Sequence, residues 1–169
     1  MEIRSGLLAD APAVAALHTE SWRTSYAGIM PAEYLDGPLY EERLAIWQFR
    51  LTTPTPGAAL FTAQEESELL GFVYLTPNPD GRILLDNLHV HPTAKRRGLG
   101  TRLLRHAQHW THTEHPGHTL YLEVLEANTP AVAFYERHGG KRTDSRTAHF
   151  DQGFDLIELE YTWPQAPNS

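Results

Sequence analysis

The spacing of apolar positions changes along the chain in a way that predicts strands alternating with helices. Glu2 to Arg4 reads as a short first strand, and Asp10 with Pro12 two residues on marks a helix start. Val14, Leu17, His18, Trp22 and Tyr26 then keep helical spacing until Gly28. Pro31 to Leu35 and Tyr40 to Leu51 continue as a second helical stretch, which the run TTPTPG breaks. Two strands follow, Ala58 to Ala63 and Leu69 to Thr76, joined by the charged turn Gln64 to Glu68. After the turn Pro77 to Gly81 comes an apolar run, Ile83, Leu84, Leu85, Leu88 and Val90, that ends at Pro92.

Leu99, Leu103, Leu104 and Ala107 return to helical spacing, predicting a helix from Gly98 to about Trp110 and a polar connection up to Thr119. Leu120 to Leu125 alternates again, with Leu120, Leu122 and Val124 on one face and Tyr121 and Glu123 on the other. Asn128 or Thr129 caps the next helix, whose apolar face holds Ala131, Phe134 and Tyr135 and which Gly139 and Gly140 close. Lys141 to Phe150 and Phe154 to Trp163 then form a hairpin around Asp151-Gln152-Gly153. The order β-α-α-β-β-β-α-β-α-β-β predicts an α/β fold (an α+β mixed sheet) with helices on both faces, and nothing divides the chain, so residues 1–169 are expected to form one domain.

Candidate chemistry is concentrated where the apolar run ends. The turn KRRGLG, Lys95 to Gly100, leads straight into a helix. Gly98 and Gly100 let backbone approach a ligand closely, and the first helical turn leaves amides unpaired. With the helix dipole and the charges of Lys95, Arg96 and Arg97, the place suits an anion, and a pyrophosphate better than a lone carboxylate. A dinucleotide fingerprint fails at Leu103, where a third glycine belongs, and a phosphate-binding P-loop fails at Thr101 and Arg102.

Composition narrows the classes. The chain of 169 residues lacks cysteine, which removes disulfides, thiolate metal sites and a cysteine nucleophile. A formal net charge of -7 argues against a general nucleic-acid binder, and its acidic remainder favours a cationic second substrate. No apolar run is long enough to span a bilayer, and the opening MEIRSGLLADAP lacks the zones of a signal peptide, so a cytoplasmic protein without membrane partners is expected.

Lys95-x-x-Gly98-x-Gly100 resembles the acetyl-CoA pyrophosphate loop of the GNAT superfamily of acyl-CoA N-acyltransferases, usually Gln/Arg-x-x-Gly-x-Gly/Ala, with lysine here in the first place. LEANTPAVAFYERHGG, Leu125 to Gly140, is similar to a second family segment, Asn-x-x-Ala-x-x-Phe/Leu-Tyr-Glu-x-x-Gly-Phe, with Gly140 in place of the aromatic. The element order is that of GNAT folds too. The resemblance implies an N-acetyltransferase that uses acetyl-CoA to acetylate a primary amine of a small molecule or peptide by direct attack on the thioester. The alternative is a GNAT-fold module that binds acyl-CoA as a sensor without turnover.

By that resemblance Lys95 to Thr101, including Leu99, hold the diphosphate, and the backbone of Leu88, His89 and Val90 takes the pantetheine arm. Asn128, Ala131 and Phe134 also face the cofactor, and Tyr135 faces the sulfur as the acid for the leaving thiolate. An ammonium of pKa about 10.4 needs roughly 4 to 5 kcal/mol to supply its neutral form at pH 7, so a base or a water chain is required. Asp86 ranks first for that role, then Glu123, then His89. Trp22, Tyr26 and His149 are candidates for the acceptor pocket. His106, His109, His112, His115 and His118 recur every third residue, but no HExxH or carboxylate partner accompanies them, and surface histidines rather than a metal site are expected. Edge strands in the last hairpin offer a route to a homodimer.

Overall fold

Apolar side chains on both faces of one strand set the architecture of the computed structural model, which describes residues 1–164. That strand, β3 (Glu68–Pro77), is central in the first half of a seven-stranded sheet. The others are β1 (Glu2–Ser5), β2 (Ala59–Glu65), β4 (Ile83–Val90), β5 (Leu120–Leu125), β6 (Lys141–His149) and β7 (Asp155–Trp163). Their spatial order is β1-β2-β3-β4-β5-β7-β6, antiparallel except where β4 meets β5. The helices are α1 (Ala11–Ser25), α2 (Ala32–Leu35), α3 (Leu39–Thr52), α4 (Leu99–Glu114) and α5 (Thr129–Arg137).

On one face Leu70, Val73 and Leu75 of β3 join Leu99, Leu103, Leu104 and Ala107 of α4 in the larger core. The opposite face packs Phe72 and Tyr74 against Val14, Ala15 and Leu17 of α1 and the fully buried Trp47 of α3. Gly71 makes the first contact close: a Cβ there would stand 3.0 Å from the His89 carbonyl oxygen and 3.0 Å from Leu103. A third cluster packs Met30, Leu35 of α2 and Leu39 of α3 with Leu125 at the end of β5.

Three boundaries differ from the expectation. The second helical stretch is split by Gly37-Pro38 into α2 and α3. The charged turn tightens to Glu66 and Ser67, both left-handed at φ 49° and 72°, the geometry of a two-residue hairpin. Helix α4 runs on to Glu114, past Trp110, because Thr111 is buried beneath it and its hydroxyl donates to the Ala107 carbonyl. Asp10 does precede α1, but its carboxylate accepts the Leu7 amide at 2.7 Å and pairs with Arg4 at 2.9 Å instead of capping the helix. Among the described residues no helix is long and apolar enough to cross a membrane.

Candidate active site

Strands β4 and β5 are paired at only two positions, Ile83 with Leu120 and Leu84 with Tyr121, and then part. A bulge adds to the divergence: Tyr74 faces Asn87 while Leu75 faces Leu85, so Asp86 is the extra residue. The opening between the strands belongs to a cavity of about 880 Å³ that reaches from α1 to the start of α4.

At one end of that cavity lies the glycine turn. Arg96 and Gly98 are left-handed, at φ 65° and 78°, and Gly98 stands at the N-cap of α4 with no side chain capping the helix. The Arg102 amide is the first to reach a helical carbonyl, that of Gly98, which leaves the amides of Leu99, Gly100 and Thr101 ahead of the ladder. Lys95, Arg96, Gly98, Leu99, Gly100 and Thr101 all line the cavity. The side chain of Arg97 departs from the expectation: it leaves the cavity and pairs with Glu65 of β2 at 3.1 Å. Gly100 lets α5 approach, since a Cβ there would be 3.4 Å from the Phe134 ring.

The walls come from β4, α5 and α1. Leu88, His89 and Val90 line the cavity from β4, and Asn128, Ala131, Phe134 and Tyr135 from the opposite side. Asn128 precedes α5 without capping it, and its side chain meets the Tyr26 hydroxyl. Tyr135 is buried, edge-on to Trp163 at 5.9 Å, and burial pushes its phenol above the usual tyrosine range. Trp22 and Tyr26 stand edge to face at 5.1 Å, and the Arg43 guanidinium stacks on the Trp22 ring at 4.2 Å.

The three base candidates differ in their company. Asp86 and Glu123 both line the cavity, but the Asp86 carboxylate is held at 2.8 Å by Arg50, which also donates to Asn87. His89 lies 4.9 Å from His18, ring to ring, and burial holds it at about 4. Glu123 is met by Arg146 at 3.0 Å. His149 is not brought in: it is 76% exposed, pairs with Asp155 across the hairpin, and leaves the cavity lining to its neighbour Phe150.

Sequence reasoning missed three residues here. Glu158 of β7 lines the cavity beside Glu123. His138 follows α5; its Nδ1 lies 2.8 Å from the Phe134 carbonyl and its Nε2 2.9 Å from the Thr101 hydroxyl. A carbonyl only accepts, so Nδ1 carries the proton and, in the neutral ring, Thr101 donates to Nε2. His18 accepts the Trp47 indole N–H at 3.1 Å beneath His89. The histidine series is dispersed, with His106 packed on Phe61 and His115 on Trp110.

The sequence profile described as Acetyltransferase (GNAT) family matches residues 15–140, a span that holds both the glycine turn and α5. The chain belongs to the GNAT acetyltransferase family. A probable N-acetyltransferase of Mycobacterium tuberculosis is 31% identical over 140 residues, 81% of this chain and 78% of its own. A peptidyl-lysine N-acetyltransferase of Escherichia coli is 40% identical over 76 residues, 45% of each chain. In fold, the crystal structure of a PaiA N-acetyltransferase from Thermoplasma acidophilum in complex with coenzyme A superposes with a TM-score of 0.74. It shares 24% identity over 96% of this chain and 98% of that one, so the GNAT fold is common to both.

Proposed function

We propose that this GNAT acetyltransferase transfers the acetyl group of acetyl-CoA to a primary amine of a small molecule or peptide, as one catalytic domain in the cytoplasm. One observation carries the reading: the uncapped start of α4, the gap between β4 and β5, and Tyr135 all open into the same cavity. The residues fit the cofactor. A Cβ on Gly98 would meet nothing within 4 Å, so its surroundings leave space against the loop for a diphosphate. The amides of Leu99 to Thr101 and the charges of Lys95 and Arg96 would hold it. Backbone groups of Leu88 and Val90, which turn away from β3 and which β5 leaves unpaired, suit an extended amide-bearing arm lying along β4 as an added strand, whereas the His89 backbone faces Phe72 of β3 and is not free for it. Ala131 and Phe134 would cover its other side.

With the thioester in that gap, a β4 amide, that of Val90, stabilises the oxygen that becomes negative as the amine adds to the carbonyl. Tyr135 gives its proton to the departing sulfur. Its hydroxyl makes no hydrogen bond within the described residues and its burial favours the protonated phenol, both of which suit a donor. Trp22 and Tyr26 bound the acceptor side. The Asp86 carboxylate, committed to Arg50, is better suited to fixing the β4 bulge than to receiving a proton.

The test has two parts. Calorimetry should detect CoA binding, and free-thiol release should be followed with acetyl-CoA and a panel comprising a lysine-containing peptide, a diamine and an aminoglycoside. Binding with transfer to at least one amine supports the reading. No CoA affinity removes it, and affinity without transfer to any amine replaces it with a binding module.

A further inference from the structure

We propose that Glu158 receives the proton that the acceptor ammonium must lose, and that Glu123 and Arg146 hold it ready to do so. The inference rests on the acetyl-transfer reading and adds the base which that reading lacks. Strand order makes the arrangement. On β5, Glu123 faces Glu160 and Leu125 faces Glu158, so Glu123 and Glu158 are diagonal neighbours on one face of the sheet. Both line the cavity, and Glu158 is close enough to Tyr26 for its charge to act on that phenol. Arg146 of β6 lies opposite Glu158, and one of its nitrogens, Nη1, meets both carboxylates, Glu123 at 3.0 Å and Glu158 at 3.5 Å.

That single cation is shared further. Its other nitrogen is 2.9 Å from Asp144 and 3.3 Å from Glu160. Arg82 divides itself between Glu160 and Asp80. Five carboxylates thus meet two guanidiniums, and the excess negative charge on this face is relieved by a proton or by a cationic substrate. The other groups on this part of the cavity do not supply the missing positive charge: Tyr26, just past the end of α1, is a neutral phenol, and Asp86 of β4 is already paired with Arg50. Burial and the adjacent Glu123 carboxylate push Glu158 up to about 7, against the partial opposition of Arg146. A carboxylate so placed is basic enough to take a proton near neutral pH and still give it to solvent afterwards.

The step balances. The ammonium transfers one proton to Glu158, and the freed lone pair forms the new bond from nitrogen to the thioester carbonyl carbon. Collapse of the adduct breaks the carbon–sulfur bond with its electron pair on sulfur. The sulfur takes the proton of Tyr135, the second nitrogen proton restores the phenol, and Glu158 releases its own to solvent.

The test measures kcat against pH, at saturating acetyl-CoA, on whichever amine of the panel the wild-type enzyme acetylates fastest. Wild-type kcat should rise to a plateau with a midpoint near 7. Glu158→Gln should lower the plateau by about 100-fold or more and abolish that midpoint, with CoA affinity unchanged by calorimetry. Glu123→Gln removes the charge that raises Glu158, so the midpoint of whatever turnover remains should move to lower pH. Glu158→Gln turnover within about threefold of wild type with the same pH profile overturns the proposal, as does an unmoved midpoint in Glu123→Gln. Failure of the transfer reading is seen separately, as wild-type protein that binds CoA and acetylates nothing.

Discussion

The Thr101 hydroxyl lies 2.9 Å from Nε2 of His138, and this bond ties the first turn of α4 to the end of α5. Thr101→Val keeps the shape but leaves the ring nitrogen without its donor. The expected loss is about 1 kcal/mol, or roughly 2 to 4 °C in Tm, while Thr101→Ser should keep most of the stability. Thermal denaturation followed by circular dichroism checks both variants.

Gly98 combines φ 78° with open space where a Cβ would stand. Gly98→Ala therefore strains the turn by about 1 kcal/mol and turns the strand-to-helix amides off their aim. CoA affinity by calorimetry should fall about tenfold or more, well beyond the small loss of stability.

Tyr135→Phe removes only the hydroxyl from a ring already packed against Phe134 and Trp163. We expect kcat to fall by about 100-fold or more with CoA affinity intact, because the proposed mechanism gives the phenol a part in proton donation to the leaving sulfur and none in binding. A Phe variant with wild-type kcat would remove Tyr135 from proton donation.

Acid should unfold the protein partly through the buried His18 and the half-buried His89 packed against it. Burial, reinforced for His18 by His89 and nearby arginines, holds His18 at about 2 and His89 at about 4. Both lie below the free value of about 6.5, so the unfolded chain binds more protons once pH falls under 6.5. The stability these two rings allow is therefore fully present above that pH and declines as pH drops, by up to about 1.4 kcal/mol per unit for each ring, with the His89 share levelling off near its folded value. Denaturant midpoints at several pH values should show a shallower decline in His89→Gln than in the wild type.

Much of the architecture was legible because period and punctuation agree. The strands about Leu120 and Val73, and the start of α4 after Gly98, follow from local pattern alone. The glycine turn was equally visible, since its features sit within six residues, Lys95 to Gly100. Glu158 was not. Its strand alternates acids with apolar residues, which reveals a polar face but not what that face meets. Placing β7 between β5 and β6 brings Glu158 to Glu123 from 35 positions away in sequence, and no local spacing announces such a neighbour. The sidechain of Arg97 and the exposure of His149 were hidden for the same reason, since a partner on another strand, Glu65 or Asp155, draws each outward.

The parting of β4 from β5 has a consequence for the sheet itself. Beyond Leu84, the β4 peptide groups turned away from β3 form an edge inside the molecule, sheltered from other chains yet lacking a neighbour. A bound pantetheine would finish the ladder, so those amides should exchange with deuterium more slowly when CoA is saturating. The two halves of the sheet, joined by two rungs, would then be stitched together by the reactant.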